Sequence, residues 1–321
     1  MDQLLLAVVK LVVLLVVYLV LVLAVGQLEH KAMAHMQSRL GPMYAGGFHG
    51  WAQLVADGIK FAQKEDVIPG RADPVVFRLA PAVAFVPYFL VLVVVPFGPG
   101  GQVVQELDIG LFYALAIASV GVLGTLMAGW ASANKFSLLG AFRAAAQLMA
   151  YELPLLLAAA SVAMAAGTLS LTGIAAAWSP WWLLWQLPAA VVFYVASMAE
   201  LGRSPFDMPV AETEIIFGSY TEYSGLRFAL FLLSEYGGMA VFSALTTVLF
   251  LGAWRGPFLD EQLGWLWTLI KVLALCFIMI WARSSYPRLR EDQLQRLAWV
   301  VLIPVALAQL ALTGVVKVVS S

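Results

Sequence analysis

The chain has 321 residues, of which 62% are hydrophobic and 12% charged, with a formal net charge of -1 and a mean hydropathy of +0.90. That much apolar side chain exceeds what a soluble core encloses, so the chain is a membrane protein. The near-neutral charge, with no basic stripe, excludes nucleic acid as a partner.

Eight apolar runs reach about 20 residues, the length that crosses the hydrocarbon layer as a helix. They lie near 4–28, 79–97, 109–131, 148–169, 181–199, 227–251, 264–282 and 297–317. Backbone groups in lipid must bond internally, so the expected fold is an all-α membrane protein. The first run is longer than the apolar stretch of a signal peptide, and "GQLEHK" after it is a poor cleavage site, so it is expected to stay as a helix. Apart from Arg255 and Lys317, every loop Lys and Arg lies after the first, third, fifth or seventh run. By the positive-inside bias those loops are cytoplasmic and both termini are outside.

The loop from Glu29 to Arg78 carries Trp51, Leu54, Val55, Gly58, Ile59 and Ala62 at the spacing of one helical face. An amphipathic helix over 49–64, lying in the interface plane, is expected there. Two readings stand for it: a helix that tiles the membrane surface, or the threshold of a site for a lipid-soluble ligand. His30, His35 and His49 share this loop, but the first two are five apart, off the one-face spacing of a zinc helix, so no metal site is expected.

Glu29, Glu152, Glu235 and Lys271 sit inside or at the edge of the runs. An ionised group at mid-membrane costs about 2.5 to 3.5 kcal/mol on insertion scales, so these should face the bundle interior. Each could make a structural hydrogen bond between helices; four together read better as a proton path. Between Glu200 and Gly225, the chain reads "ELGRSPFDMPVAETEIIFGSYTEYSG", with the carboxylates Glu200, Asp207, Glu212, Glu214 and Glu222 and one cation, Arg203. Apolar residues alternate with the acids, and Pro205 and Pro209 oppose a regular helix. An acidic cytoplasmic loop over 200–226, folded into a protein-lined cavity or covered by another subunit, is expected. Crowded carboxylates there would repel one another and store protons. The single Cys276 lies in an apolar run and reads as a small core residue. No repeat, linker, phosphate loop or paired cysteines stand out, so the chain reads as one domain over 1–321 whose electrons, if any, come from a partner.

"SPFDMPVAETEIIFGSYTEYSG" closely resembles the characteristic loop of the H subunit of the proton-pumping NADH:quinone oxidoreductase, respiratory complex I. "LEHKAMAHMQSRLGPMYAGG", "QLVADGIKFAQKEDVIP", "ASANKFSLLGAFRAAAQLMAYELPL" and "WARSSYPRLREDQLQRLAW" extend the resemblance over nearly the whole chain, in the right order. It implies eight transmembrane helices plus the amphipathic helix, a multi-pass place in the plasma membrane, and a quinone chamber at the junction of the membrane and peripheral arms. Quinone would be the substrate, with no cofactor bound by this chain. Iron–sulphur clusters and flavin would sit in partner subunits, beside other membrane subunits. By motif position, proton coupling would fall to Glu200, Asp207, Glu212, Glu214, Glu222, Glu152 with Tyr151, Glu235 and Lys271. The chamber would use Glu29, Lys31, Arg39, Arg203, Arg283 and Arg288. The pattern departs at Met43, Gly202 and Val300, and at Val210, where the family carries an acid.

Two other readings compete: a homologous subunit of a ferredoxin-dependent or hydrogenase-type complex, and a stand-alone proton-coupled transporter, which would usually show inverted repeats. On the coupling reading, Glu214→Gln abolishes pumping or quinone turnover and leaves assembly intact; vesicle proton uptake beside a native gel checks this, and unchanged coupled activity refutes it.

Overall fold

The computed structural model describes residues 2–99 and 103–320. Every regular element among them is helical. Among the described residues, seven helices are long and apolar enough to span a membrane.

The first, α1 (Asp2–Met36), buries Leu14, Tyr18, Val22, Val25 and Glu29. Their three- and four-residue spacing makes one narrow stripe. The rest of its first half, from Leu5 to Val20, is mostly exposed apolar surface that needs lipid or a partner. At 1.5 Å per residue α1 is about 52 Å long, well beyond a hydrocarbon layer of about 30 Å. Its last turns therefore project past the apolar layer.

A 3-10 turn (Phe48–Gly50) leads into α2 (Gln53–Gln63), within the amphipathic segment expected from the sequence. Leu54 turns inward against Gly26 of α1, whereas Trp51, Val55 and Ile59 stay exposed. The hairpin of α3 (Pro74–Leu92) and α4 (Gly110–Ala131) follows. Asp73 caps α3 by accepting from the Val75 and Val76 amides, with Pro74 at the first helical position. This cap starts the helix five residues before the apolar run does. At Gly124 the two backbones meet: a Cβ there would lie 2.4 Å from the Ala84 nitrogen.

Helix α5 (Lys135–Ala166) starts at the Asn134 cap and ends at Gly167, left-handed at φ 74. Its amphipathic first turns extend above the apolar run 148–169, so the helix is longer than that run. After α6 (Leu171–Ala177), the predicted span 181–199 divides into α7 (Trp182–Trp185) and α8 (Leu187–Glu200). With 14 residues α8 is about 21 Å long, so this fifth expected span is not one full-length helix. Pro188 opens it, and Ala189, Val192, Phe193 and Ala196 are buried. It packs on α5, on α10 (Gly225–Phe250), and on α13 (Ile303–Ser320).

The acidic segment is irregular, as its prolines demand: it holds only the short α9 (Glu212–Ile215) and a 3-10 turn (Gly218–Tyr220). The last elements are α11 (Asp260–Ser285), α12 (Glu291–Arg296) and a π-helical stretch (Leu297–Leu302) running into α13. Pro304 has no amide hydrogen, and its ring would crowd the carbonyl four residues back; a widened turn relieves that.

Gly124→Ala forces a methyl into the Ala84 backbone. It should destabilise by about 1 to 3 kcal/mol or more, read as a lower thermal midpoint of the detergent-purified complex. Gly58→Ala, which meets nothing within 4 Å, is the control and should leave the midpoint in place.

Candidate functional site

Four elements bring charge to one end of the bundle. Glu29 belongs to the buried stripe of α1. Past the end of α8, Gly202 at φ 61 turns the chain and drops Arg203 into the core at 3% exposure. Glu235 comes from α10 and Arg283 from the last turn of α11. Arg203 Nη1 lies 2.9 and 2.8 Å from the two Glu29 oxygens, and Arg283 donates to the same carboxylate. Arg203 Nε lies 2.8 Å from Glu235 Oε1, an ion contact without an aligned hydrogen bond, and the guanidinium stacks 5.0 Å over the Tyr236 ring. Burial alone would lower the Arg203 pKa; the nearby Glu235 and Glu29 charges outweigh it, and the net direction is upward. Arg203 is a permanent cation shared by two acids.

On one side of this group is a cleft of about 410 Å³ between α1, α2 and the loop joining them. Glu29, Arg39, Gln53, Asp57, Tyr236 and Arg283 are among its lining residues. The loop is held closed by Lys31, which donates to the Pro42 carbonyl and lies 3.2 Å from Met43 Sδ, and by Gln27, which donates to the Gly50 carbonyl at 3.2 Å. Arg39 sits on the cleft wall with Nε 2.7 Å from Gln37 Oε1. Exposed Trp51, Val55 and Ile59 make the surface beside it apolar. A volume of several hundred Å³ is typical for sites that hold small organic ligands.

On the other side is a smaller, polar cavity of about 70 Å³, lined by Glu200, Glu235, Tyr88, Thr125, Gln147, Tyr220 and Ser234 among others. Glu235 therefore belongs to both: it pairs with Arg203 and faces the inner cavity. Glu200 is buried at 8% exposure and has no ion-pair partner among the described residues. Among the acids, Glu152 acts on it electrostatically. Tyr151, next to Glu152, donates to the Leu294 carbonyl at 2.9 Å and packs on Phe206. Burial pushes the Tyr220 phenol up to about 12, a hydrogen bond with Thr125 at 3.1 Å pulling the other way, so it stays neutral.

Two of the remaining loop acids, Asp207 and Glu214, are paired with arginines from outside the loop. Asp207 takes a two-point pair from Arg288 at 2.7 Å each, and Arg288 also reaches Thr213 Oγ1 at 3.1 Å. Glu214 pairs with Arg143 at 2.6 Å, and Glu222 accepts from Asn134 at 2.6 Å. The Glu212 side chain lies outside the described residues. Asp207 and Glu214 are thus held apart in separate pairings, with Arg288 and Arg143 arriving from outside the loop.

Lys271 is not brought to this group. It donates to the carbonyls of Leu251, Ala253 and Arg255 at 2.7, 2.9 and 2.5 Å, beyond the far end of α10. Sequence reasoning passed over Arg143, Asn134, Gln147 and Tyr236, although the first three lie in a motif that carries the family resemblance, and Tyr88, which lies in an apolar run without any signal. No group of three or more His, Cys, Asp or Glu among the described residues is disposed to hold a metal ion.

The family model described as NADH dehydrogenase matches residues 9–314. The chain is 44% identical over 311 residues to the second NADH-quinone oxidoreductase H subunit of Geobacter metallireducens, covering 90% of this chain and 88% of that one. It is 44% identical to the NADH-quinone oxidoreductase H subunit of Geobacillus kaustophilus and 45% identical to that of Bacillus mycoides, each over 291 residues, covering 90% of this chain and 87% of the relative.

Arg203→Met leaves Glu29 buried beside Arg283 alone. It should destabilise the purified complex by about 3 to 5 kcal/mol. Arg290→Met, which cuts an exposed pair with Asp292, should cost under about 1 kcal/mol. Thermal midpoints of the two variants compare them directly.

Proposed function

We propose a function for this chain from the premise that it belongs to the H-subunit family of NADH-quinone oxidoreductase. It is the membrane subunit that provides the quinone chamber of such a complex and couples quinone reduction to proton translocation. One observation carries this reading: Arg283, Glu29, Arg203 and Glu235 form an unbroken line of charge from an open cleft to a smaller cavity lined by acids and hydroxyls among apolar side chains.

On this reading quinone leaves the bilayer between α1, α2 and α10, past the apolar side chains of α2, and its head meets the arginines of the cleft. Electrons come from an iron–sulphur cluster of a soluble partner subunit, itself supplied by a flavin-bearing one. Two electrons and two protons turn the quinone into quinol, so negative charge develops before the protons arrive. In a site of effective dielectric near 20, unit charges about 4 Å apart interact by about 4 kcal/mol, enough to reorder ion pairs. Reduced quinone attracts Arg283. Glu29, losing that cation, draws Arg203 closer, and Glu235 loses its counter-ion. Glu235 then takes a proton from the inner cavity. Glu200 and Glu152 continue the route toward the membrane interior, while the pairs of Asp207 and Glu214 seat the acidic loop. The arginine-rich end faces the cytoplasm, where soluble partners dock on the loop.

Native membrane vesicles test the reading. Inhibitor-sensitive NADH oxidation with proton uptake supports it. Ferredoxin replacing NADH would keep the chamber and change the donor, and no quinone reduction with any donor would overturn the assignment. Glu235→Gln, equal in size, should assemble normally, stop pumping and slow quinone turnover by about a hundredfold.

A further inference from the structure

We propose that Ser224, Arg227 and Asp66 are positioning residues: they clasp the interfacial helix α2 to the start of α10 and so set the width of the outer cleft. The inference rests on the reading of that cleft as the place where quinone enters.

No residue of α2 is buried, so core packing does not fix its place. Its exposed Trp51, Val55 and Ile59 hold it to the apolar layer. That attraction is non-directional and sets neither its rotation nor its distance from α1. Yet α2 supplies Gln53 and Asp57 to the cleft, bonded to each other at 3.0 Å, while α1 supplies Glu29 and Met33. Whatever holds α2 therefore decides how far apart these walls stand.

The two ends of α2 are tied to different helices. At its start, Leu54 packs on Gly26 and the Gln27 amide donates to the Gly50 carbonyl, both joining it to α1. Past its end, residues 64–67 are joined to α10. Ser224 Oγ donates to the Glu65 carbonyl at 3.0 Å and accepts from the Val67 amide at 3.4 Å, using its one hydrogen and a lone pair. Arg227 Nη2 lies 3.0 Å from Asp66 Oδ2. The guanidinium stands 5.8 Å over the Phe77 ring, which helps to aim it. Gly225 permits the close approach, since a Cβ there would lie 3.1 Å from the Lys64 carbonyl oxygen. Phe228 adds a ring contact with Phe61 of α2, centres 5.8 Å apart. These contacts are directional, which the lipid contact is not.

Held at both ends, α2 keeps the cleft walls at a preset separation. A lipid-soluble ligand then meets a site that needs less ordering when it binds. The clasp shares no residue with the line of charge from Arg283 to Glu235, so it acts on quinone binding and not on turnover of bound quinone.

Amide hydrogen exchange and quinone kinetics of the intact complex in lipid nanodiscs test this. Exchange over 53–67 should quicken about fivefold in Asp66→Asn and about tenfold in Ser224→Ala. The KM for a long-tailed quinone should rise by similar factors at unchanged kcat. Arg227→Lys keeps the charge and should stay near wild type, and Asp66→Arg combined with Arg227→Asp should recover most of the loss. If variants of Arg227 fail to assemble, Asp66→Asn, on an exposed side chain, decides alone. Unchanged exchange overturns the proposal. Quickened exchange with an unchanged KM also overturns it, as does a loss confined to kcat, the mark of a merely structural role. Wild-type complex that never reduces quinone refutes the reading of the cleft instead, while exchange still decides whether the clasp holds α2.

Discussion

A guanidinium buried in an apolar bundle keeps its charge only while acids stand beside it, and Arg203 has two. Removing ions from water costs several kcal/mol each, so the arrangement persists only if every partner is held in place by packing. Glu29 must therefore face inward on α1, α8 must end where Gly202 can turn, and α10 and α11 must present Glu235 and Arg283 to the same point. The relative placement of four helices follows from one buried cation. The cleft and the inner cavity lie on either side of it because side chains committed to ion pairs cannot also fill those spaces.

The opposite end of the bundle obeys the same rule without forming a site. Lys271 directs its charge at the Leu251 and Ala253 carbonyls just past α10, Arg255 donates to the Ala176 and Trp178 carbonyls where α6 stops, and the Trp178 indole donates to the Phe250 carbonyl at 2.8 Å. Cations suit the negative end of a helix, and unpaired carbonyls near lipid are costly. Here burial of charge secures a chain reversal; at the other end it joins two cavities.

The departures from the family pattern acquire physical meaning in this setting. Gly202 sits at φ 61, a left-handed conformation that glycine and asparagine accept more readily than other residues. Met43 offers its sulfur to Lys31 at 3.2 Å. Val210 lies on the wall of the inner cavity, so Glu200 and Glu235 are the two carboxylates that line it. Val300 is exposed on the π-helical stretch, and nothing in the structure explains its exchange.

Run length, hydropathy and proline position determined the membrane class, all-helical character, amphipathic α2 and irregular acidic loop, because each is a local consequence of side-chain type and spacing. Motif order determined the family. The fifth expected span, 181–199, holds a shorter helix than its run, since Pro188 and the short α7 interrupt a run whose hydropathy is continuous. Only the tertiary structure decided which charges meet. Arg203 and Glu29 are 174 positions apart, and Arg283 and Glu29 are 254 apart. No periodicity reports such a pairing. Likewise Lys271, an intramembrane charge like Glu235 by hydropathy, was separated from the acids because ion pairing acts over a few ångströms of space, and helix packing alone sets those distances.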